Sequence, residues 1–123
     1  MAQDLIVGGA MLPHAPQFFT MPDTEDKDTV QRVRDVAASI GERLQALKPD
    51  LWIMIANDHA QQFFHQCAPP FTLHVGGVAR GEFAGRDFRY QVPSDISFAI
   101  VEDLYRSGFD PAFTSSAEID YAL

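Results

Sequence analysis

The stretch LWIMIANDHAQQFF, from Leu51 to Phe64, gives the clearest indication of the fold. It begins with six apolar residues in a row, and polar side chains follow abruptly from Asn57. A short unbroken apolar run with a polar boundary is typical of a strand buried on both faces, as in a parallel sheet. Open α/β folds bind their ligands where such strands end. We therefore expect His59, just beyond the strand, to lie at a functional site.

A second histidine occupies a similar position near the N-terminus. Leu5 to Val7 form a short apolar run that continues through two glycines into MLPHAPQF, the sequence around His14. Proline fixes φ and disfavours helix at the residue before it, so Pro13 and Pro16 predict a rigid loop. We expect residues 5–7 to be a parallel strand with His14 beyond its end. Histidine is the commonest metal ligand, although position alone supports a ligand and a structural role equally.

A helix is predicted between these two strands. Its apolar positions recur every three or four residues and so share one face. They are Val30, Val33, Ala37, Ile40, Leu44 and Leu47. We interpret the acid-rich segment Met21 to Asp28 as a solvated loop, in which Asp28 or an acid just before it caps the helix. Lys48 and Pro49 mark the helix end, and strand, helix and strand form a right-handed βαβ unit.

The second half of the chain continues the alternation of strands and helices. Phe71 to Val75 is short and β-prone, whereas Gly81 to Val92 fits either an irregular excursion or a hairpin. Ser94 is the predicted N-cap of a second helix that stops at Gly108. Phe109 to Thr114 would return to the sheet. The whole pattern predicts an α/β protein with a mostly parallel sheet.

Composition limits the class of function. The chain has 123 residues, of which 46% are hydrophobic, enough for one domain with a core but not for two. Its net charge of -8 argues against a nucleic-acid partner, whose phosphates an acidic surface repels. The single cysteine, Cys67, excludes an intrachain disulfide and a cysteine-rich zinc site. With no basic leader and no apolar run of roughly 18 residues, we expect a cytoplasmic protein without a membrane partner.

Three segments resemble a known family. They are GGAMLPHAP at residues 8–16, IMIANDHAQQF at residues 53–63 and, more weakly, AEIDYAL at residues 117–123. Their order and separation resemble the class III extradiol ring-cleavage dioxygenases of the protocatechuate 4,5-dioxygenase β-subunit (LigB-like) type. Catalytic domains of that family are more than twice as long. The resemblance implies that residues 1–123 are the N-terminal portion of such a domain, an incomplete three-layer Rossmann-like fold with helices flanking a mostly parallel central sheet.

The resemblance also implies an activity and a metal. Family members open catechol rings with dioxygen at Fe(II), and the role of iron ligand carries over to His14 and His59. Two imidazoles and one carboxylate on one face of the ion leave positions open for a catechol and for dioxygen. The expected substrate is a catecholic acid such as protocatechuate or gallate. The expected assembly is a homo-oligomer or a complex with another subunit, and the motifs identify no substrate-binding residue.

Residues beside the histidines offer supporting roles. A metal-bound histidine usually donates its other N–H to an oxygen acceptor, so Asn57 and Asp58 are candidates for that contact. Turning the chain after the strand is the alternative, and for Asn57 the two roles are equally supported. We interpret His65 and His74 as ordinary surface or hydrogen-bonded core histidines, because His65 follows two phenylalanines and His74 lies inside a predicted strand.

The chain departs from the family at the third segment. Family members generally have a histidine after the aspartate there, whereas this chain has Tyr121 after Asp120. A phenol with a pKa of about 10 donates a hydrogen bond but does not exchange a proton at neutral pH as imidazole does. We expect Tyr121 to act in the catalytic site with a changed rate or substrate choice. The alternative is that Tyr121 packs against the sheet with its hydroxyl in solvent. The family's glutamate ligand and histidine base have no counterpart in these 123 residues.

Two alternatives stay open. One is a truncated, catalytically silent module of the same fold that binds metal weakly or serves only in association. The other is a zinc hydrolase that uses the same two histidines with a carboxylate such as Asp58 or Glu118, and it would act without oxygen. The identity of the third metal ligand separates these hypotheses.

Overall fold

Residues 6–119 of the chain are described by the computed structural model. The chain divides into two units, Met1–Ile55 and Ala56–Leu123. The first unit contains a 3-10 helix, Pro16–Phe18, and helix α1, Lys27–Ala46. The second contains strands β1, Thr72–His74, β2, Val78–Phe83, and β3, Arg86–Gln91, then helix α2, Ser94–Arg106, and strand β4, Ala112–Thr114.

Local sequence signals account for α1. The Oδ1 atom of Asp26 accepts a hydrogen bond from the backbone amide of Thr29 at 2.6 Å, so an acid shortly before Asp28 is the N-cap. At the other end, Lys48 has a left-handed φ of 51° and the helix stops before Pro49. The predicted amphipathic helix and both of its boundaries are confirmed.

The strand predicted from Leu51 to Ala56 is not formed. This segment has no regular secondary structure, and Trp52, Ile53 and Ile55 are 51%, 71% and 90% exposed. A strand needs a neighbour for its backbone hydrogen bonds, and no strand among residues 6–119 pairs with this segment. The prediction was wrong because an apolar run indicates only that burying the segment would be favourable. It does not indicate whether another strand is available to pair with it.

The βαβ unit predicted around α1 is wrong for the same reason. Ile6 and Val7 belong to no strand, and Leu5 lies outside the described residues. The predicted loop around His14 is confirmed, since the first helical turn begins only at Pro16. Proline suits that position because its missing N–H would have no partner in the first turn.

A parallel strand pair gives the second unit its α/β character. β1 and β4 pair in parallel, with Thr72 opposite Ala112 and His74 opposite Thr114. The chain between them passes through a hairpin and α2, a helical crossover of the kind that parallel neighbours require. The predicted α/β class, the strand within residues 71–75 and the return of the chain to the sheet are confirmed.

β2 and β3 form a hairpin, one of the two structures that the sequence allowed there. They turn at Ala84 and Gly85, whose φ angles of 52° and 72° suit a tight two-residue turn. Side chains alternate between the two faces of the ribbon. Arg80 and Arg89 are directly opposite each other on the exposed face, while Ala79 is buried on the other.

Helix α2 packs on this parallel pair. Its first helical residue is Ser94, and Pro93 occupies the cap position without a side-chain hydrogen bond, so the predicted serine cap is wrong by one residue. Gly108 has a φ of 86° and confirms the predicted stop. The rings of Phe98 and Phe113 meet edge to face with centroids 5.7 Å apart, which joins α2 to β4.

The described core is small and lies in the second unit. Its buried hydrophobic residues are Val75, Ala79 and Val101, and Pro111 is fully buried. The hydroxyl of Tyr105 donates to the carbonyl oxygen of Pro111 at 2.8 Å and ties the end of α2 to the start of β4. No helix within residues 6–119 is long and apolar enough to cross a membrane.

Candidate functional site

His14 lies exposed in a loop of the first unit, two residues before the 3-10 helix. Arg34 of α1 holds that short helix, because its guanidinium donates to the backbone carbonyl oxygens of Gln17 and Thr20. A charged donor makes such hydrogen bonds stronger than those between neutral groups. The loop that carries His14 is therefore fixed on its C-terminal side.

A mostly apolar cavity of about 380 Å³ lies beside this loop. Met11, Leu12 and Pro13, immediately before His14, line it together with Phe18. Its wall on α1 includes Arg32, Val33, Val36 and Ile40. Small-molecule sites typically occupy about 300 to 1,000 Å³, so the cavity is large enough for an aromatic ring. The sequence feature that could have indicated this cavity is the predicted apolar face of α1. In the structure, part of that face is not covered by other residues.

His59 lies exposed in the second unit, in a turn that Asp58 stabilises. The two carboxylate oxygens of Asp58 accept hydrogen bonds from the backbone amides of Gln62 at 3.4 Å and Phe63 at 3.2 Å. Ala60, directly after His59, has a left-handed φ of 59°, which is uncommon for a residue with a side chain. Strained backbone of this kind is concentrated at functional sites.

The structure places the two predicted iron ligands in different units, His14 in the first and His59 in the second. Among residues 6–119, no group of three or more histidine, cysteine, aspartate or glutamate side chains is positioned to hold a metal ion. The strand ends that were expected to bring the rings together are not formed, and a shared ion stays a prediction. Imidazole nitrogen suits iron, so the donor chemistry of both residues fits such a site. Asn57 is exposed, and Tyr121 lies outside the described residues.

His74 occupies an environment that the sequence did not indicate. Its Nδ1 atom is buried and has no hydrogen-bond partner within the described part of the chain. His74 borders a cavity of about 290 Å³, lined also by Arg80, Ser115, Ser116 and Glu118. The prediction of an ordinary surface or hydrogen-bonded core histidine does not describe this nitrogen, because strand periodicity carries no information about the groups that face a ring.

Comparison of the sequence with known proteins identifies a family and several relatives. A family profile described as the catalytic LigB subunit of aromatic ring-opening dioxygenase matches residues 8–123. The matched range contains His14, His59 and Tyr121. No solved structure gives a significant match to the chain.

Curated relatives come from several strains of Escherichia coli, among them O139:H28 (strain E24377A / ETEC), SMS-3-5 / SECEC and K12 / DH10B. In each, a protein named 2,3-dihydroxyphenylpropionate/2,3-dihydroxicinnamic acid 1,2-dioxygenase is 33% identical to this chain over 97 residues. The aligned segment is 79% of this chain and 31% of each relative. The chain thus spans about a third of the length of the curated relatives it matches.

Proposed function

The chain belongs to the LigB family of aromatic ring-opening dioxygenases, and on this premise we propose that it takes part in the extradiol cleavage of a catecholic aromatic acid by dioxygen. The family match over residues 8–123 carries the proposal, because it takes in both histidine loops. We assign residues 1–123 to the N-terminal portion of a catalytic domain. The match covers only 31% of each relative, which supports the view that these residues are part of a longer domain.

Fe(II) is the proposed cofactor, with His14 and His59 as two of its ligands. When bound, Fe(II) would supply open positions for the catechol and dioxygen and a route for electrons from the ring to oxygen. Each imidazole would hold the ion through one ring nitrogen and donate from the other to an oxygen acceptor. For His59 the candidate acceptors are its sequence neighbours Asp58 and Asn57. The third ligand is not assigned.

The cavity beside His14 is the proposed site for the aromatic ring. Its apolar walls favour a flat hydrophobic group. Val36→Trp would fill the cavity from α1, so we expect a raised KM with unchanged iron content. Ser39→Trp, at an exposed position of the same helix, is the control. Equal KM values in the two variants would place the ring elsewhere.

Three acids are candidate substrates. The family resemblance implies protocatechuate and gallate, and the names of the relatives add 2,3-dihydroxyphenylpropionate. After anaerobic loading with Fe(II), iron content and oxygen uptake should be measured with each acid. We expect stoichiometric iron and uptake with at least one of them. His14→Ala and His59→Ala should abolish iron binding with the fold retained, since exposed loop residues contribute little to a core. His65→Ala is the control, and iron retained in both ligand variants would refute the metal assignment.

A silent module of the same fold is the second candidate function. It is favoured by the finding that no group of three ligating side chains is assembled within residues 6–119. Metal-free protein without oxygen uptake, after loading under the conditions above, would establish this alternative. Stoichiometric iron with turnover would eliminate it.

Association with a second copy or another subunit is also proposed, in a cytoplasmic setting. The support is the exposed apolar segment that includes Ile53 and Ile55, since such surfaces seek partners. Sedimentation velocity should show mass increasing with concentration, and Ile55→Lys should reduce it. Ser39→Lys adds the same charge at an exposed helical position and should not. A concentration-independent monomer would contradict the proposal.

A further inference from the structure

Strand β3 lies at the edge of a two-stranded sheet, and part of its backbone faces away from β2. The amide of Val92 donates to the carbonyl oxygen of Gly77 at 3.1 Å, which identifies a hydrogen-bonded pair just before the hairpin strands. Such pairs alternate along an antiparallel ladder with pairs whose backbone groups face outward. By this alternation Asp87, Arg89 and Gln91 direct their N–H and C=O groups away from β2. Within residues 6–119 no strand pairs with this edge.

The other edge of the hairpin is covered. The outward carbonyl oxygen of Arg80 on β2 accepts a hydrogen bond from the backbone amide of Ile119 at 2.7 Å. A side chain at Gly81 would collide with the backbone carbonyl of Ile119, so the two segments are in close contact. In the described part of the chain, β3 is therefore the side of the hairpin that is open to another strand. An open strand edge is a template for pairing with a second chain.

The exposed face of the hairpin carries two like-charged pairs. Arg80 lies directly opposite Arg89, and Glu82 lies directly opposite Asp87. Like charges in opposite positions destabilise a sheet. No ion pair within residues 6–119 involves any of these four side chains. Opposite charges on a neighbouring strand would offset the repulsion in both pairs.

The sequence of β3 is complementary to itself in the antiparallel direction. Two copies can pair about a two-fold axis with Phe88 opposite Phe88 of the partner subunit. Asp87 then lies opposite Arg89 of the partner subunit, and the symmetry repeats this contact. Both residues have outward backbone groups, so they also exchange backbone hydrogen bonds. Phe88 is half-buried and Tyr90 is 37% exposed, so the face that carries them has apolar surface left to cover.

Charge selects this register over its neighbours. A shift by one residue sets outward backbone groups against inward ones and is excluded. A shift by two residues in one direction sets Arg89 opposite Arg89 of the partner subunit. The same shift in the other direction sets Asp87 opposite Asp87 of the partner subunit. Charged side chains usually protect an edge strand from pairing, but here their alternating sign favours one register of a self-pair.

We propose that two copies of this chain pair through the β3 edge, about a two-fold axis at Phe88, to form a continuous four-stranded antiparallel sheet. The acidic pair Glu82–Asp87 of each copy then meets the basic pair of the other. Opposite-charge pairs across strands stabilise a sheet. This interface lies in the second unit, apart from the exposed run that includes Ile55, and it does not rest on the proposed chemistry.

Charge variants of the full chain test the interface by sedimentation velocity. All carry Ile55→Lys, which removes association through the exposed apolar run. Arg89→Asp should raise the dimer Kd by roughly tenfold or more, because the symmetry makes two attractive pairs repulsive. Arg80→Asp is the matched control, since it makes the same change of charge on β2, away from the partner. Both variants give the hairpin an opposite-charge pair, so both should fold.

Exchange of the two charges is the rescue experiment. Asp87→Arg combined with Arg89→Asp leaves the net charge unchanged and restores both opposite-charge pairs. We expect this double variant to dimerise as the parent does. Equal losses in Arg89→Asp and Arg80→Asp, no recovery in the folded double variant, or a monomeric parent at all concentrations would overturn the proposal. Iron content and oxygen uptake do not enter these measurements, so failure of the proposed function would be recognised separately.

A disulfide tests the register. Opposite residues in a non-hydrogen-bonded antiparallel pair have Cα atoms about 4.5 Å apart, a distance that a disulfide can span. Phe88→Cys, with Cys67→Ser to remove the native thiol, should therefore form a covalent dimer on mild oxidation. Tyr90→Cys is the control on the same face, because Tyr90 lies opposite Arg86 of the partner subunit. Equal cross-linking of the two variants, or none in folded Phe88→Cys, would contradict the pairing at Phe88.

Discussion

The guanidinium group of Arg34 donates to the backbone carbonyl oxygen of Gln17 through two of its nitrogens, Nε at 3.2 Å and Nη2 at 2.8 Å. Nη2 also donates to the carbonyl oxygen of Thr20 at 3.1 Å. One half-buried side chain of α1 thus satisfies two carbonyl groups of the segment that follows His14. Only arginine carries a planar fork with donors at this spacing.

Arg34→Lys should therefore destabilise the first unit while leaving its charge unchanged. The expected loss is about 1 to 2 kcal/mol, because a hydrogen bond to a charged donor contributes more than a neutral one. Urea denaturation measures the loss, and hydrogen exchange at the amides of residues 18–20 should accelerate. Arg43→Lys in the last turn of α1 is the matched control. Equal losses of stability in the two variants would show that the paired hydrogen bonds from Arg34 to Gln17 contribute nothing to stability.

Asp26 should make the stability of α1 dependent on pH. Hydrogen bonds from Thr29, the side-chain hydroxyl first and the backbone amide second, hold the pKa of Asp26 below its ordinary value of 3.8. A carboxyl group whose pKa is lower in the folded state stabilises that state fully above the unfolded pKa. The contribution is then lost as the pH falls through the folded pKa.

Thermal unfolding of the wild type and of Asp26→Asn should be followed by circular dichroism from neutral pH into the acid range. We expect the Tm difference between them to shrink as the pH falls below 3.8. Asp23→Asn is the control, because Asp23 forms only an exposed ion pair with Lys27 at 3.5 Å. A Tm difference that is independent of pH would contradict the assigned role of the Asp26 carboxylate.

The turn after His59 should tolerate glycine better than alanine at position 60. A left-handed conformation costs a residue with a side chain about 1 to 2 kcal/mol, and glycine avoids this cost. Part of the gain in folding free energy is lost again, because glycine has more conformational freedom in the unfolded chain. Ala60→Gly should therefore stabilise the second unit by about 0.5 to 1 kcal/mol in urea denaturation. Ala15→Gly, at an extended φ of -136°, should destabilise slightly. Loss of stability in Ala60→Gly would mean that the turn carries no strain.

The sequence predicted the elements whose causes are local. The apolar face and acidic cap of α1, the stop at Gly108 and the loop between Pro13 and Pro16 all follow from residues a few positions apart. Strand pairing depends on distant residues, which explains the wrong prediction at Leu51 to Ala56. The pairing of Thr72 with Ala112 was indicated only as a return of the chain to the sheet, because no single segment specifies its partner.

The candidate sites show the same division. The motifs pick out His14 and His59 by type and spacing, and the sequence around them predicts a loop and a turn. Nothing in the sequence indicates that Nδ1 of His74 is buried without a partner or that Arg80 faces the same cavity. That arrangement arises when residues 115–119 pack against β2, a contact between distant segments.

Tyr121 offers a test of the departure from the family at the third segment. If its hydroxyl lies near bound substrate, Tyr121→His should raise kcat or shift the pH profile, because imidazole exchanges a proton near neutral pH. Tyr121→Phe should lower turnover by removing the only polar atom of the side chain. Both variants should be assayed for oxygen uptake in active enzyme. Unchanged kinetics and pH profiles in both would remove Tyr121 from the catalytic site.

The exposed run from Leu51 to Ile55 also has the features that a protease requires of its substrate. Enzymes of the chymotrypsin type cleave after large apolar and aromatic side chains, and they need several residues of extended backbone free of secondary structure. Trp52 and Met54 meet the first requirement, and the lack of helix or strand there meets the second. Cleavage at this run would divide the polypeptide close to the boundary between Ile55 and Ala56. Each histidine loop would then remain on a different product, His14 on one and His59 on the other.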